Sequence, residues 1–315
     1  MNIKIQKQSG ITLIELMIAL LIGAIMLTGV IAVFVNSSKT NRVLTNLSRI
    51  QEDTRFVGGT IKKTLSLIGY RRDSRIEKTA VFKTLPQSVY GSFFTPMMAG
   101  QSIAGLDNQT TTAGITEDQI YFRYQNDDTS SALNCLGESF VNPSHPSTPT
   151  LLADTTIGNH YYIADKGKGR NLYCDSMILP EPIVTILPSG TTFTSIKAVP
   201  IINSEPLVSN VEKFQVLYGM FNPSVGNEVI NEYVTCYRAA TSVSTSKNGA
   251  CSSGGVNFQN VLIVRINMII STKAKNLTYD NEKHDFTYAG MTITDVDKKL
   301  YQGLTLDIAL NNQIL

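Results

Sequence analysis

The chain has 315 residues, 43% of them hydrophobic, with 27 basic and 25 acidic side chains and a formal net charge of +2 at pH 7. The basic excess comes from Lys4 and Lys7 near the N-terminus, so the rest of the chain is balanced in charge. This balance argues against a strongly basic nucleic-acid-binding protein, and no direct nucleic-acid site is evident. The length is enough for a membrane helix together with one large or two small domains.

A long apolar run, from Gly10 to Val35, follows a short polar segment that contains both of these lysines. As an α-helix, residues 11–35 would reach about 37 Å, whereas the hydrocarbon core of a bilayer is about 30 Å thick. A secretory signal peptide has a shorter apolar core that ends at a small-residue cleavage site, and this run has none. We therefore expect a retained membrane helix at 11–35, with the N-terminus in the cytoplasm and the following residues exported.

Glu15 is the one charged residue in this run. An ionised carboxylate inside a bilayer costs roughly 2.5–3.5 kcal/mol on an insertion scale, so intramembrane acids usually have a function. One interpretation is that Glu15 lies close enough to the end of the run to reach the headgroups. The other is that cleavage after Gly10 creates an amine on Ile11, and that Glu15 pairs with the corresponding amine of a neighbouring subunit.

Ser9 and Gly10, followed by Ile11 and residues 12–16 (TLIEL), resemble the signal of type IV prepilins and type II secretion pseudopilins. The resemblance implies cleavage between Gly10 and Ile11 by an inner-membrane prepilin peptidase, which removes a leader of residues 1–10. It also implies N-methylation of the new terminus and a role for Glu15 in filament assembly. The chain departs from the usual pattern at Ile11, where this family commonly has Phe.

A second helical segment, residues 36–69, continues the apolar run. Its apolar residues recur at spacings of three and four, and they are Val43, Leu47, Ile50, Val57, Ile61 and Ile68. The other face is charged, Gly58-Gly59 is a point where a helix bends or frays, and Gly69 is a typical C-terminal stop. We expect one rod from Ile11 to Ile68, about 87 Å long, whose apolar stripe packs on the chain's own sheet.

Residues 70–315 are predicted to form an exported, β-rich domain. Alternating or β-branched segments predict strands at 120–124, 161–164, 172–179, 193–199, 211–218, 233–237, 261–271 and 303–310. The stretches 88–114, 142–150 and 240–255 are rich in turn residues and are predicted as loops. The expected fold is α+β and pilin-like: a long N-terminal α-helix, half membrane-spanning and half amphipathic, packed on an antiparallel β-sheet domain with long loops.

All four cysteines lie beyond the membrane run, and an even number in an exported region indicates disulfides. Three pairings are open, and we favour the sequential one, which joins Cys135 to Cys174 and Cys236 to Cys251.

A metal centre or an active site is not expected. No C-x-x-C occurs, and His145, His160 and His284 are scattered, which disfavours zinc. The acidic segment 280–285 lacks the EF-hand pattern and is interpreted as a solvated turn rather than a weak calcium site. No nucleophile elbow or zinc-protease motif occurs, so neither an enzyme activity nor a cofactor is predicted.

Several blocks of the exported region are similar to the minor pilin family PilW, and they lie at residues 118–124, 135–137, 171–174, 206–208, 211–219, 261–271 and 297–311. The resemblance implies a low-abundance pilin of a complex that primes assembly at or near the pilus tip, in a pilus that serves twitching, adhesion or DNA uptake. Its partners would be other minor pilins, the major pilin, a tip adhesin and the prepilin peptidase. It implies a single-pass inner-membrane protein with a periplasmic domain, which then moves to the pilus at the cell surface.

Two alternatives remain open. One is a J-like pseudopilin of type II secretion, which shares the signal and occupies a filament tip. The other is a single-pass envelope protein whose exported domain binds a ligand such as a surface glycan. The latter predicts an uncleaved N-terminus and no association with filaments.

Overall fold

The structure is a computed structural model, and it describes residues 12–85, 95–110, 115–126, 133–138, 155–167, 169–179, 183–186, 192–195, 201–220, 236–240, 258–277, 285–294 and 297–314. Within these ranges a helix of 53 residues, α1 (Leu13–Leu65), packs with its C-terminal part on two antiparallel sheets. The predicted α+β fold class, with a long N-terminal helix on an antiparallel β domain, is confirmed.

Helix α1 begins at a polar cap and ends at a glycine turn. Thr12 has an extended backbone, and its side chain accepts the N–H of Glu15, which satisfies one donor of the first turn. The helix continues through Gly58 and Gly59 as one element and ends three residues before the predicted end at Ile68. Gly69 has a φ of +73°, a conformation that glycine adopts without strain.

The first sheet has five strands in the spatial order β1 (Ile103–Thr110), β2 (Thr116–Gln125), β3 (Thr156–Asp165), β4 (Arg170–Leu179) and β7 (Ile201–Ser209). A separate hairpin, β5 (Ile183–Ile186) with β6 (Thr192–Ser195), precedes β7 in the chain. Strand β1 contradicts the prediction of a loop at 88–114. Its Gly, Asp and Asn residues are typical of turns, whereas pairing with β2 and packing of Ile103 hold it extended.

The second sheet has four strands in the order β13 (Tyr301–Ala309), β10 (Val261–Ser271), β8 (Val211–Met220) and β9 (Cys236–Arg238). A further hairpin is formed by β11 (Asp285–Tyr288) and β12 (Met291–Thr294), and two short helices are α2 (Lys78–Val81) and α3 (Asn311–Ile314). Strand β10 has the predicted range. For each of the other predicted strands that the structure describes, the observed ends differ from the predicted ends by at most five residues. Parts of the predicted strands at 196–199 and 233–235 lie outside the described residues.

The apolar core lies between α1 and the inner faces of both sheets. Strand β10 contributes alternate residues to it, namely Val264, Ile266, Met268 and Ile270, and strand β2 contributes Ile120, Phe122 and Tyr124. A smaller cluster on the opposite face of the first sheet consists of Leu85, Met97, Ala104, Tyr121, Met177 and Leu179. Helix α1 is therefore held by the junction of two sheets rather than by one sheet alone.

Candidate functional site

The N-terminal part of α1, residues 13–35, is here called the apolar arm. Its large hydrophobic side chains are between 41% and 77% exposed, and it has no packing partner among the described residues. It contains an 18-residue window with a mean hydropathy of 2.8, of which none is buried, so by length and composition it is able to cross a membrane. An exposed apolar surface of this extent indicates contact with lipid or with other apolar helices.

Glu15 lies in the first turn of the arm, with an exposed side chain. Its backbone N–H donates to Oγ1 of Thr12 over 3.3 Å, which fixes the residue in the first helical turn. A carboxylate at this position interacts favourably with the positive end of the helix dipole. Gly10 and Ile11 lie outside the described residues, so the structure places Glu15 at the start of the helix without showing the predicted cleavage position.

The docked segment of α1, from Ile50 to Leu65, carries the apolar stripe into the core. Ile50, Val57 and Ile61 are buried, as the spacing predicts, while Leu47 at the edge of the stripe stays exposed. Gly58 lies against the second sheet, where a Cβ would make ordinary van der Waals contact with the side chain of Leu304 at 3.6 Å. The helix remains one element through Gly58 and Gly59, in agreement with the expected rod.

Polar contacts secure the end of the docked segment to the first sheet. The hydroxyls of Thr64 and Tyr161 are hydrogen-bonded at 2.7 Å within the core. Beyond the helix, the N–H of Gly69 donates to the carbonyl of Arg123 at 3.1 Å, and Nδ2 of Asn312 donates to the carbonyl of Ser66 at 3.0 Å. Of these residues Gly69 was singled out from the sequence, as the C-terminal stop, and no local pattern identifies the partners in these contacts.

A disulfide joins Cys135, in the connection between β2 and β3, to Cys174 in β4, and both residues are buried. Their Cα atoms are 6.2 Å apart, and the predicted pairing of these two cysteines is confirmed. The N–H of Cys135 also donates to Oδ1 of Asn159 at 3.3 Å, which anchors the turn to β3. The side chain of Cys236 and all of Cys251 lie outside the described residues, so their pairing stays a prediction.

His160 is a buried core residue in this structure. Its ring is stacked between Tyr121 and Tyr162 at centroid distances of 4.0 and 4.5 Å, and Nε2 lies 3.1 Å from Oε1 of Gln119. Burial lowers the pKa of His160, although the nearby carboxylate of Asp175 opposes this effect. Within the described ranges, no three His, Cys, Asp or Glu residues come together as metal ligands. His145, His284 and residues 280–284 lie outside those ranges.

These features define a class: a type IV pilin-like protein, in which an exposed apolar helix with an acid in its first turn carries an antiparallel β domain. Residues 5–31 match the family model of the prokaryotic N-terminal methylation motif, in agreement with this class. Residues 160–312, just under half of the chain, match the model of the type IV pilus-assembly protein W family, PilW.

Among solved structures, the chain is similar to the type IV-like pilin TTHA1219 from Thermus thermophilus. The two are 9% identical, and the match covers 84% of this chain and 98% of that one with a TM-score of 0.36. A likeness this distant carries no argument about function. No curated protein matches the chain.

Proposed function

We propose that this chain is a PilW-family minor pilin of a complex that primes pilus assembly and sits at or near the pilus tip. The observation that carries the proposal is the apolar arm. It extends from the exported domain as one unbroken helix and has no packing partner among the described residues. Before assembly, lipid covers the arm; in the filament, the arms of other minor pilins and of the major pilin cover it. The protein itself acts by packing, not by catalysis.

The chain is divided accordingly into four parts. Residues 1–10 form a leader that prepilin peptidase removes between Gly10 and Ile11, and the new terminus is then N-methylated. Residues 11–35 form the membrane-spanning and filament-core helix, and residues 36–69 form its amphipathic continuation. Residues 70–315 form the exported domain. The match of residues 5–31 to the methylation motif supports this division at the N-terminal end.

Glu15 takes part in assembly by compensating a positive charge. After cleavage, the amine on Ile11 lies one helical turn before Glu15, so a neighbour displaced by about one turn brings its amine to the Glu15 carboxylate. An unpaired carboxylate is costly in hydrocarbon, and pairing removes that cost as the subunit leaves the bilayer. The exposed side chain of Glu15 at the free end of the arm supports this role.

The exported domain faces the periplasm before assembly and the cell exterior afterwards. Both cysteine pairs are oxidised in such a compartment, which includes the proposed pair of Cys236 and Cys251. The domain, fixed rigidly to α1 at the junction of the two sheets, positions long connections where a tip adhesin or a surface can contact them. Twitching, adhesion and DNA uptake are all functions that a pilus primed in this way would support.

The test is mass spectrometry of the N-terminal peptide from sheared filaments and from inner membranes. A methylated peptide that begins at Ile11 in the sheared fraction is expected. The Gly10→Val variant should remain uncleaved in the membrane. Wild-type protein that keeps residues 1–10 and occurs only in membranes would overturn the proposal in favour of an anchored envelope protein.

A deletion strain separates the two filament systems. Loss of pilus assembly with intact protein secretion is expected. Loss of secretion with normal piliation would show a type II secretion pseudopilin instead.

A further inference from the structure

The exported domain has one end that lies nearest the apolar arm, here called the arm-side end. Nη2 of Arg42 in α1 donates to the carbonyl of Lys275, which follows β10, at 3.5 Å. Later in α1, the carbonyl of Ser66 accepts Nδ2 of Asn312, which follows β13 at the opposite end of the same sheet. The turn after β10 therefore lies at the end of the second sheet that is nearest the arm.

Backbone hydrogen bonds bring separate segments of the chain to the arm-side end. The N–H of Thr272 donates to the carbonyl of Leu300, just before β13, and the N–H of Ser271 donates to the carbonyl of Asn210, between β7 and β8. Strand β4 begins beside the end of β7, so the turn between β3 and β4 lies here as well. The arm-side end consists of residues 39–42 of α1 and of the segments 165–167, 169–170, 209–213, 271–277 and 297–300.

Basic side chains outnumber acidic ones among the described residues at and beside this end. The basic ones are Lys39, Arg42, Lys166, Arg170, Lys213, Lys273, Lys275, Lys298 and Lys299. The acidic ones are Asp165, Glu212 and Asp297, with Glu117 near the start of β2 and Asp285 at the start of β11. The chain as a whole is nearly balanced in charge, so the fold creates this excess by assembling segments that are far apart in sequence.

Two of these acids are bound inside the domain. The side chains of Glu117 and Glu212 are only 6% and 19% exposed. Glu117 accepts the N–H of Phe214 at 3.0 Å, and Glu212 accepts the hydroxyl of Ser271 at 2.7 Å. Both acids also form ion pairs, and their basic partners are Arg170, Lys213 and Lys299. The outward charge of the arm-side end therefore comes from the other basic side chains.

The exposed basic side chains of this end are here called the basic collar, which consists of Lys39, Arg42, Lys166, Lys273 and Lys275. The side chain of Lys275 is 60% exposed even though it is paired with Asp297 at 3.1 Å. Two acids, Asp165 and Asp285, share the surface. Asp165 accepts the N–H of Gly167 at 2.8 Å, which closes the turn between β3 and β4. The collar thus presents more positive than negative charge to its surroundings.

The collar lies at the height of the lipid headgroups when the arm crosses a bilayer. Helix α1 is continuous from the arm through Arg42. At about 1.5 Å per residue, Lys39 is about 6 Å and Arg42 about 10 Å beyond Val35, the last residue of the arm. The headgroup layer on each side of the hydrocarbon core is about 5–8 Å thick. The arm therefore brings the collar to the headgroups without any change in the fold.

We propose that the basic collar binds the phosphate groups of anionic phospholipids in the membrane that the arm crosses. Lys and Arg combine positive charge with N–H donors that match a phosphate group, and basic segments beside a bilayer are attracted to anionic lipid. The contact holds the exported domain against the membrane surface before assembly and is broken when the subunit enters a filament. It rests on the membrane-spanning role proposed for the arm, and it is independent of the priming role.

The first experiment measures lipid selectivity by electron paramagnetic resonance of spin-labelled lipids. The full chain is reconstituted in phosphatidylcholine bilayers, with Lys4→Gln and Lys7→Gln in every protein so that the basic residues before the arm do not contribute. Spin-labelled phosphatidylglycerol and spin-labelled phosphatidylcholine are compared for their association with the protein. We expect a preference of several-fold for phosphatidylglycerol at about 0.01 M salt. The preference should disappear at about 1 M salt, where the screening length falls to about 3 Å.

A matched pair of variants locates the lipid contact. Arg42→Gln combined with Lys273→Gln should lower the preference several-fold, because it removes two charges from the collar. Arg55→Gln combined with Lys62→Gln removes the same charges from exposed positions of the docked segment, farther from the arm, and should retain the preference. Equal effects of the two variants would contradict a site at the collar.

Two results with the unsubstituted collar need no further variant. Restricted lipid without any preference at low salt would overturn lipid binding by the collar alone. Absence of restricted lipid of either kind would show that the arm does not cross the bilayer, and would overturn the membrane role of the arm together with this proposal.

The second experiment is hydrogen exchange of the full chain in nanodiscs. Residues 271–277 should exchange several-fold more slowly in nanodiscs that contain phosphatidylglycerol than in phosphatidylcholine alone. Residues 258–261, at the opposite end of the second sheet, should exchange equally fast in both. Protection of 271–277 in sheared filaments but not in phosphatidylglycerol nanodiscs would show that this end contacts a neighbouring pilin, and would contradict lipid binding.

Discussion

The two ends of α1 show how one helix serves two environments. In the apolar arm the large hydrophobic side chains are exposed all round, with Leu13 at 77% and Phe34 at 70%. In the docked segment only one stripe is apolar, and it is buried against the two sheets. Both parts are regular α-helix, so they differ in the surroundings that their side chains require. The arm needs lipid or other helices, whereas the docked segment is satisfied by its own chain.

The largest effect on the function of the arm is expected from substitution of Glu15. The Glu15→Ala variant should be cleaved normally yet fail to enter filaments or to initiate them, because the neighbour's amine loses its partner. Glu52→Ala, which removes an exposed acid from the docked segment, is the matched control and should assemble normally. Immunoblots of sheared filaments and of membranes measure both steps. Normal piliation of the Glu15→Ala strain would refute the role of this carboxylate.

Removal of the disulfide should show how much this covalent bond contributes to the stability of the exported domain. Replacing Cys135 and Cys174 together by Ser should lower the free energy of unfolding by about 2–5 kcal/mol. The reason is that the intact bond, which spans 39 residues in sequence, restricts the unfolded chain. Urea unfolding in detergent, followed by circular dichroism, measures the change. Midpoints that coincide for the double variant and for wild type would contradict this expectation.

Alanine substitution should distinguish the two ends of α1 directly. Ile61→Ala removes a fully buried side chain from the docked segment and should cost about 2–5 kcal/mol. Leu21→Ala removes a side chain that is 62% exposed in the arm and should leave the unfolding of the β domain unchanged. Denaturation of the full chain in detergent checks both variants. Equal effects would mean that the stripe does not anchor the helix.

The smallest effect is expected at an ion pair on the outer face of the second sheet. Nε of Arg265 lies 2.7 Å from Oδ1 of Asp307, and this contact holds the pKa of Asp307 below its ordinary value. The stabilisation is therefore present above the ordinary pKa of about 3.9 and is lost as the pH falls through the lowered value. Because Asp307 is largely exposed, Asp307→Asn should cost at most about 1 kcal/mol at neutral pH and nothing in strong acid. Thermal unfolding at several pH values measures this difference.

Some features of the site follow from local pattern, and others depend on contacts across the chain. The spacing of Ile50, Val57 and Ile61 predicts the docked face correctly, because a helix repeats its faces every 3.6 residues. The hydrogen bond between the hydroxyls of Thr64 and Tyr161 spans 97 positions and has no local signature.

The sequence by itself determined the apolar arm, the amphipathic stripe and strand β10. It did so because the length of an apolar run and the spacing of apolar residues are local properties of the sequence. They indicate which face is shielded from water without reference to distant residues. Only the tertiary structure decided the division into two sheets and the extended conformation of β1. The sheets are divided by pairings such as β7 beside β4 and β13 beside β10, and β1 is held extended by its pairing with β2. Long-range pairing and close packing override local propensity where the two disagree.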